Sequence, residues 1–111
     1  MRRREKRIPR WKSAEALHLV DVDERHREHP ETFGILPLEQ RRGAAVGDAV
    51  KLIWEEPLSD RGERLWVQVT GKDGDRLTGY IDNDPVDLAG LLRADQVVEF
   101  GPEHIAQIWE G

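Results

Sequence analysis

A chain of 111 residues without a single cysteine is one domain by length, and it rules out a disulfide framework, a thiol nucleophile and a zinc–thiolate site. Its 35% charged and 38% hydrophobic residues describe one modest core under a heavily charged surface, and no apolar run approaches the length of a membrane helix. The net charge of −5 hides a split: residues 1–12 carry seven Lys or Arg and one Glu (+6), whereas residues 13–111 carry ten basic and 21 acidic residues (−11). So acidic a body is a poor match for phosphate backbones, which leaves the basic arm as the one route to a nucleic-acid contact. Met1 is followed by Arg2, Arg3 and Arg4 but by no apolar stretch, so no export signal is expected and a cytoplasmic location is the default expectation.

In chain order, residues 1–12 read as a disordered basic tail in which Pro9 keeps Ile8 extended, and residues 13–111 as a single domain. Ser13 is suited to cap a helix beginning at Ala14, although Leu17 to Val22 alternates well enough to be a short strand instead. Asp23 to Glu31 is a charged run expected to be a solvated linker or a helix end. His26 and His29 would share a helix face there, but two imidazoles without a third ligand are a weak metal signal, so no metal or cofactor is expected. Thr32 to Pro37 is an apolar connector expected to tuck Phe33 and Ile35 against the core. Leu38 to Arg42 predicts one helical turn after Pro37. Gly47-Asp48 turns into a strand over Ala49 to Trp54, with Val50, Leu52 and Trp54 on one side and Lys51 and Ile53 on the other. Glu55 to Gly62 is a loop.

Glu63 to Pro85 predicts its own structure most clearly. Leu65, Val67 and Val69 alternate with Arg64, Trp66, Gln68 and Thr70, and Leu77, Gly79 and Ile81 alternate with Arg76, Thr78, Tyr80 and Asp82. A five-residue loop, Gly71 to Asp75, keeps both apolar sets on one face. It sets Val69 opposite Leu77, Val67 opposite Gly79 and Leu65 opposite Ile81, and on the other face Trp66 opposite Tyr80, Gln68 opposite Thr78 and Arg64 opposite Asp82. Trp66 then stands on the polar side, either covered by the N-terminal helix or exposed as an aromatic anchor for a partner. Asp82-Asn83-Asp84-Pro85 is a turn, Val86 to Leu92 a helical turn, and Gln96 to Phe100 a strand. Pro102 is expected to start a last helix whose Ile105, Ile108 and Trp109 face the sheet. The fold class is therefore α+β, mostly β: a strongly bent antiparallel sheet or partly open barrel with a helix at each end.

Catalytic signatures are sparse. Ser13 and Ser59 lie outside any nucleophile-elbow pattern, and Gly71 to Gly74 lacks the Lys-Ser/Thr ending of a phosphate loop. Asp82, Asp84 and Asp87 share a loop but lack the spacing of a calcium site, and turn chemistry explains them more simply. His104 has no partner that the sequence identifies.

Together, His29-Pro30-Glu31-Thr32-Phe33, Ile35, Pro37, Gly47 to Ile53, Gly62 to Val67, Gly79 to Pro85, Val97 to Phe100 and His104-Ile105 resemble the YegJ-like family of uncharacterised bacterial domains, over roughly residues 29 to 105. Two positions depart mildly: Ala94 stands where the family favours Gly before Asp95, and Trp54 where Phe is usual. The resemblance attaches no activity. It is similar to a group that includes immunity proteins of bacterial toxin systems, which act by binding, and so implies a binder rather than an enzyme. The expectation is a non-catalytic protein-binding module, in an immunity or regulatory context, that meets another protein, a basic one matching its acidic body, through Trp66, Tyr80, Arg64, Asn83 and Asp84. The same face would serve as a homodimer seam. The first alternative is a small hydrolase or ligand-binding enzyme using the Asp82 to Asp87 loop with His104. The second is an RNA-associated barrel using Arg2 to Arg10.

Overall fold

The computed structural model describes residues 17–110, so the basic tail, the Ser13 cap and the start of the predicted first helix lie outside the described residues. Two strands form the centre, β3 (Gly62–Asp73) and β4 (Arg76–Ile81). As the alternation predicts, Leu65, Val67, Val69, Leu77 and Ile81 all point into the core at 1% exposure or less. The register differs from expectation. The strands run on to Asp73↔Arg76, leaving a two-residue turn of Gly74 and Asp75, with Gly74 at φ 63°, the positive angle a tight hairpin asks of its first residue. A turn of two residues alone would set Val69 and Leu77 on opposite faces. A bulge between Val69 and Gly71 inserts one residue and restores the parity, so that Val67 pairs with Ile81, Gln68 with Tyr80 and Val69 with Gly79. The faces are as read from the sequence, but every cross-strand partner is displaced. At Gly79 the two backbones come so close that a Cβ would overlap the Gln68 carbonyl oxygen and sit 2.7 Å from a Val67 methyl.

The antiparallel sheet continues on both sides. β2 (Ala49–Glu55) pairs with β3 from Ala49↔Gln68 to Glu55↔Gly62, and β5 (Val97–Phe100) pairs with β4. The far edge of β2 is shared by two short strands, β1 (His18–Leu19) at Trp54 and Glu55 and β6 (Gln107–Ile108) at Val50 and Lys51. The sheet curls around a core of Val50, Leu52, Trp54, Leu65, Val67, Val69, Leu77, Ile81 and Phe100, closed from outside the strands by Ala44, Leu88, Leu92 and Ile105. The fold is thus α+β and mostly β, with the helices short.

Four segments differ from their sequence reading, and at the first and last predicted helices a non-local contact prevails. Of the two readings of the first segment, the short strand is the one found: residues 17–20 are extended, since β1 and the Val20 N–H pair with the edge of β2 (Val20 N to Ile53 O, 2.9 Å). The charged run is instead the helix α1 (Val22–Glu28): Asp21 caps it by accepting the Glu24 N–H at 3.0 Å, acidic groups fill its first turn and basic ones its last, and buried Val22 anchors it. The predicted last helix is a single 3-10 turn (Pro102–His104) followed by β6, because the open edge of β2 takes the Ala106 and Trp109 N–H groups on the carbonyls of Lys51 and Ala49. Leu38–Arg42 is the predicted helical turn, here α2, and Val86 to Leu92 forms turns rather than a helix. Arg41 of α2, 1% exposed, fastens these pieces together. It donates to the Leu36 carbonyl (2.9 Å), the Pro102 carbonyl (3.0 Å) and both oxygens of Asp23 (2.8 and 3.2 Å).

Candidate functional site: the outer face of the sheet

Residues that alternate with the core positions form the convex, outer face, and the pairing arranges them in rows across the strands. One row runs Trp109, Ala49, Gln68, Tyr80, Val97, each the register neighbour of the next. The adjacent row runs Gln107, Lys51, Trp66, and then Asp82, whose N–H bonds the Trp66 carbonyl at 2.8 Å. Trp109 and Val97 are 63% and 68% exposed, while Trp66 and Tyr80 are half-buried. The Trp66 ring meets Trp109 edge to face (centroids 5.7 Å apart, planes at 88°), and the Lys51 ammonium lies 4.8 Å from its centroid. Among the described residues, then, half-buried Trp66 is flanked by the exposed Trp109 indole and a lysine, which prop its ring at the surface.

The other end of this face is closed. Ile53 is only 5% exposed, and the connector after α1 lies near it. Phe33 does not enter the core: the guanidinium groups of Arg25 and Arg64 lie 6.0 and 5.9 Å from its ring, and His26 donates from Nδ1 to its carbonyl at 2.6 Å. Arg25 is itself held by both oxygens of Glu55 (2.7 and 3.0 Å), which keeps that carboxyl below the usual carboxylate range.

The residues expected to bind a partner therefore part company. Trp66 and Tyr80 stand on the open face, but Tyr80 is opposite Gln68 and Val97 rather than Trp66. Arg64 lies at the closed end, opposite Ile53 in β2 rather than Asp82. Asn83 has a structural task, since its Oδ1 accepts the Trp66 N–H at 2.9 Å where β4 has ended, and Asp84 is exposed beside it. Trp109 and Val97 were missed. The alternation of Gln107 and Trp109 with Ala106 and Ile108 carried the signal, but the helical stripe Ile105, Ile108, Trp109 masked it.

The alternative enzyme site is not assembled. The loop after Asp82 is organised by Glu63, whose carboxylate accepts the N–H groups of Val86 (2.8 Å) and Leu88 (2.9 Å), and by Arg61, which donates to the Asp87 carbonyl. His104 sits elsewhere, in the turn packed on α1 and α2, and its Nδ1 accepts the Gly101 N–H at 3.0 Å. Burial pushes its pKa below the usual imidazole value, and the carboxylates that oppose this are Glu103 and Asp21, not those of the loop. Among the described residues no three His, Asp or Glu side chains gather as a metal site, and no helix is long and apolar enough to cross a membrane. Set against protein-family models, curated proteins and solved structures, the chain matches none.

Proposed function

We propose that the protein is a non-catalytic binding module that recognises another protein through the open half of its outer sheet face. The observation that supports this most directly is the row Trp109, Gln68, Tyr80, Val97 with Trp66 beside it, which places three large aromatics on one surface spanning five strands, roughly 19 Å at the usual strand spacing. Trp and Tyr supply contact area at low conformational cost and carry most interface energy, and a sheet holds them in place before the partner arrives. Asp82, Asp84 and Glu99, all exposed, border the aromatics with negative charge, so the partner is expected to be basic, with electrostatic attraction speeding encounter. The resemblance to YegJ-like domains, and through it to immunity proteins, agrees with a binder.

The test is capture of a stoichiometric partner from source-cell lysate by the tagged protein, followed by the affinity of that partner for variants. Trp66→Ala and Val97→Asp should each weaken binding about tenfold or more while circular dichroism stays unchanged. Leu58→Ala, at a 98% exposed loop position, is the control that should bind normally. A partner that binds the folded Trp66→Ala and Val97→Asp variants at full strength would sink this reading.

A further inference from the structure

β6 lies at one end of the outer face; Ile108 packs against the core and Gln40 donates to Glu110 beyond it, but its backbone pairing is short. It pairs with β2 only at Ile108↔Val50 and Gln107↔Lys51, supplemented by Ala106 N to Lys51 O (2.9 Å) and Trp109 N to Ala49 O (2.8 Å). What aims it at β2 is the turn immediately before it. There the chain leaves β5 at Gly101 and bends so that the His104 N–H returns to the Gly101 carbonyl (3.0 Å) and the Ile105 N–H to the Pro102 carbonyl (3.2 Å). The Gly101 N–H is taken by a side chain, the Nδ1 of His104, in a setting where Gly101 itself is buried. An imidazole accepts at Nδ1 only while that nitrogen is unprotonated; once charged, both ring nitrogens are donors and two N–H groups face each other.

We infer that this turn is an acid-sensitive latch: protonation of His104 removes the acceptor of the Gly101 N–H, loosens the bend and frees β6, with Trp109, from the edge of β2. Ile105, fully buried, remains packed in the core, so the release begins after it.

The groups around the ring decide when this happens. Burial holds the imidazole neutral, helped by Arg76 of β4 and His18 of β1; Glu103, whose carboxylate is 3.7 Å from Nε2, and Asp21 at the cap of α1 favour the cation. Arg41 of α2 sits on the Pro102 carbonyl with its charge matched by Asp23. The sum holds His104 below its ordinary value of 6.5. The latch is therefore closed at neutral pH and opens on acidification below that value. Opening would take away the indole that flanks Trp66, so acid would remodel the aromatic face.

Amide hydrogen exchange, expressed as protection factors at about pH 7.5 and about pH 5, tests the latch on the full chain. Ala106 and Trp109 should lose protection at the lower pH, while Leu52 and Leu65 keep theirs. His104→Asn, whose amide oxygen can accept the same N–H but does not titrate, should abolish the loss. Equal loss in that variant, no loss in the wild type, or loss of protection by Leu52 and Leu65 together with β6 would each overturn the proposal. Should the variant not fold, the wild type alone decides: the titration midpoint of the His104 ring by NMR must coincide with that of the β6 amides, and a mismatch overturns it.

Discussion

Leu65 and Trp66 are consecutive residues of one strand, yet they belong to surfaces built on different terms. Leu65 faces the concave side and is fully buried, whereas the larger Trp66 faces the convex side and remains half-buried against Trp109 and Lys51. The core face is a closed set of aliphatic groups whose value lies in exclusion of water. The outer face puts its aromatics where water still reaches them, so burial gives them only part of what it gives Leu65. The size of an apolar side chain is thus no guide to what it does for stability here; its side of the sheet is.

That contrast can be broken by measurement. The largest effect is expected for Leu65→Ala, which leaves a cavity among packed neighbours and should cost about 2–5 kcal/mol in denaturant unfolding. Trp66→Ala removes more atoms but should cost less, about 1 kcal/mol, chiefly the lost edge-to-face contact with Trp109. Were Trp66→Ala to destabilise the fold more than Leu65→Ala, the outer face would be a second core and the binding reading would lose its basis. The smallest effect concerns two ion pairs whose carboxylates are partly exposed. Asp23 and Glu55 are held below their ordinary values of 3.8 and 4.5 by hydrogen bonds from Arg41 and Arg25. A depressed folded-state pKa contributes stability that is whole above the ordinary value and lost as the pH falls through the lowered one, so acid titration below about 4.5 should weaken the fold further. Because the two carboxylates are 35% and 36% exposed, each contribution should be at most about 1 kcal/mol, and Asp23→Asn should flatten the Asp23 part of the curve.

The two faces were legible from sequence because alternation is local: whether residue 65 or residue 66 points inward follows from the chain itself. The register was not, because a five-residue loop and a two-residue turn with a bulge satisfy the same parity, and only packing across the strands distinguishes them. α1 was hidden by its charge, which resembles a solvated linker until Asp21 is seen to cap it. β6 was misread for the opposite reason. Its local pattern is helical, and the hydrogen bonds that make it a strand belong to β2, 56 to 58 residues earlier. The candidate site was legible to the same degree. Trp66 stands out by its position alone, the turn sequence hides that Asn83 serves the Trp66 backbone, and the place of Trp109 depends on β6.

The bulge at Thr70 also bears on how this hairpin tolerates insertions and deletions. One extra residue before a two-residue turn and a turn one residue longer without the bulge are equivalent solutions to one parity condition. A single deletion at Thr70 would exchange the two faces of the strand from Leu65 to Val69, presenting Trp66 to the core and Leu65 to water. The same deletion matched by an insertion beside Gly74 would leave both faces as they are. Length changes in this hairpin are therefore tolerable in compensating pairs, and a lone one turns the sheet inside out.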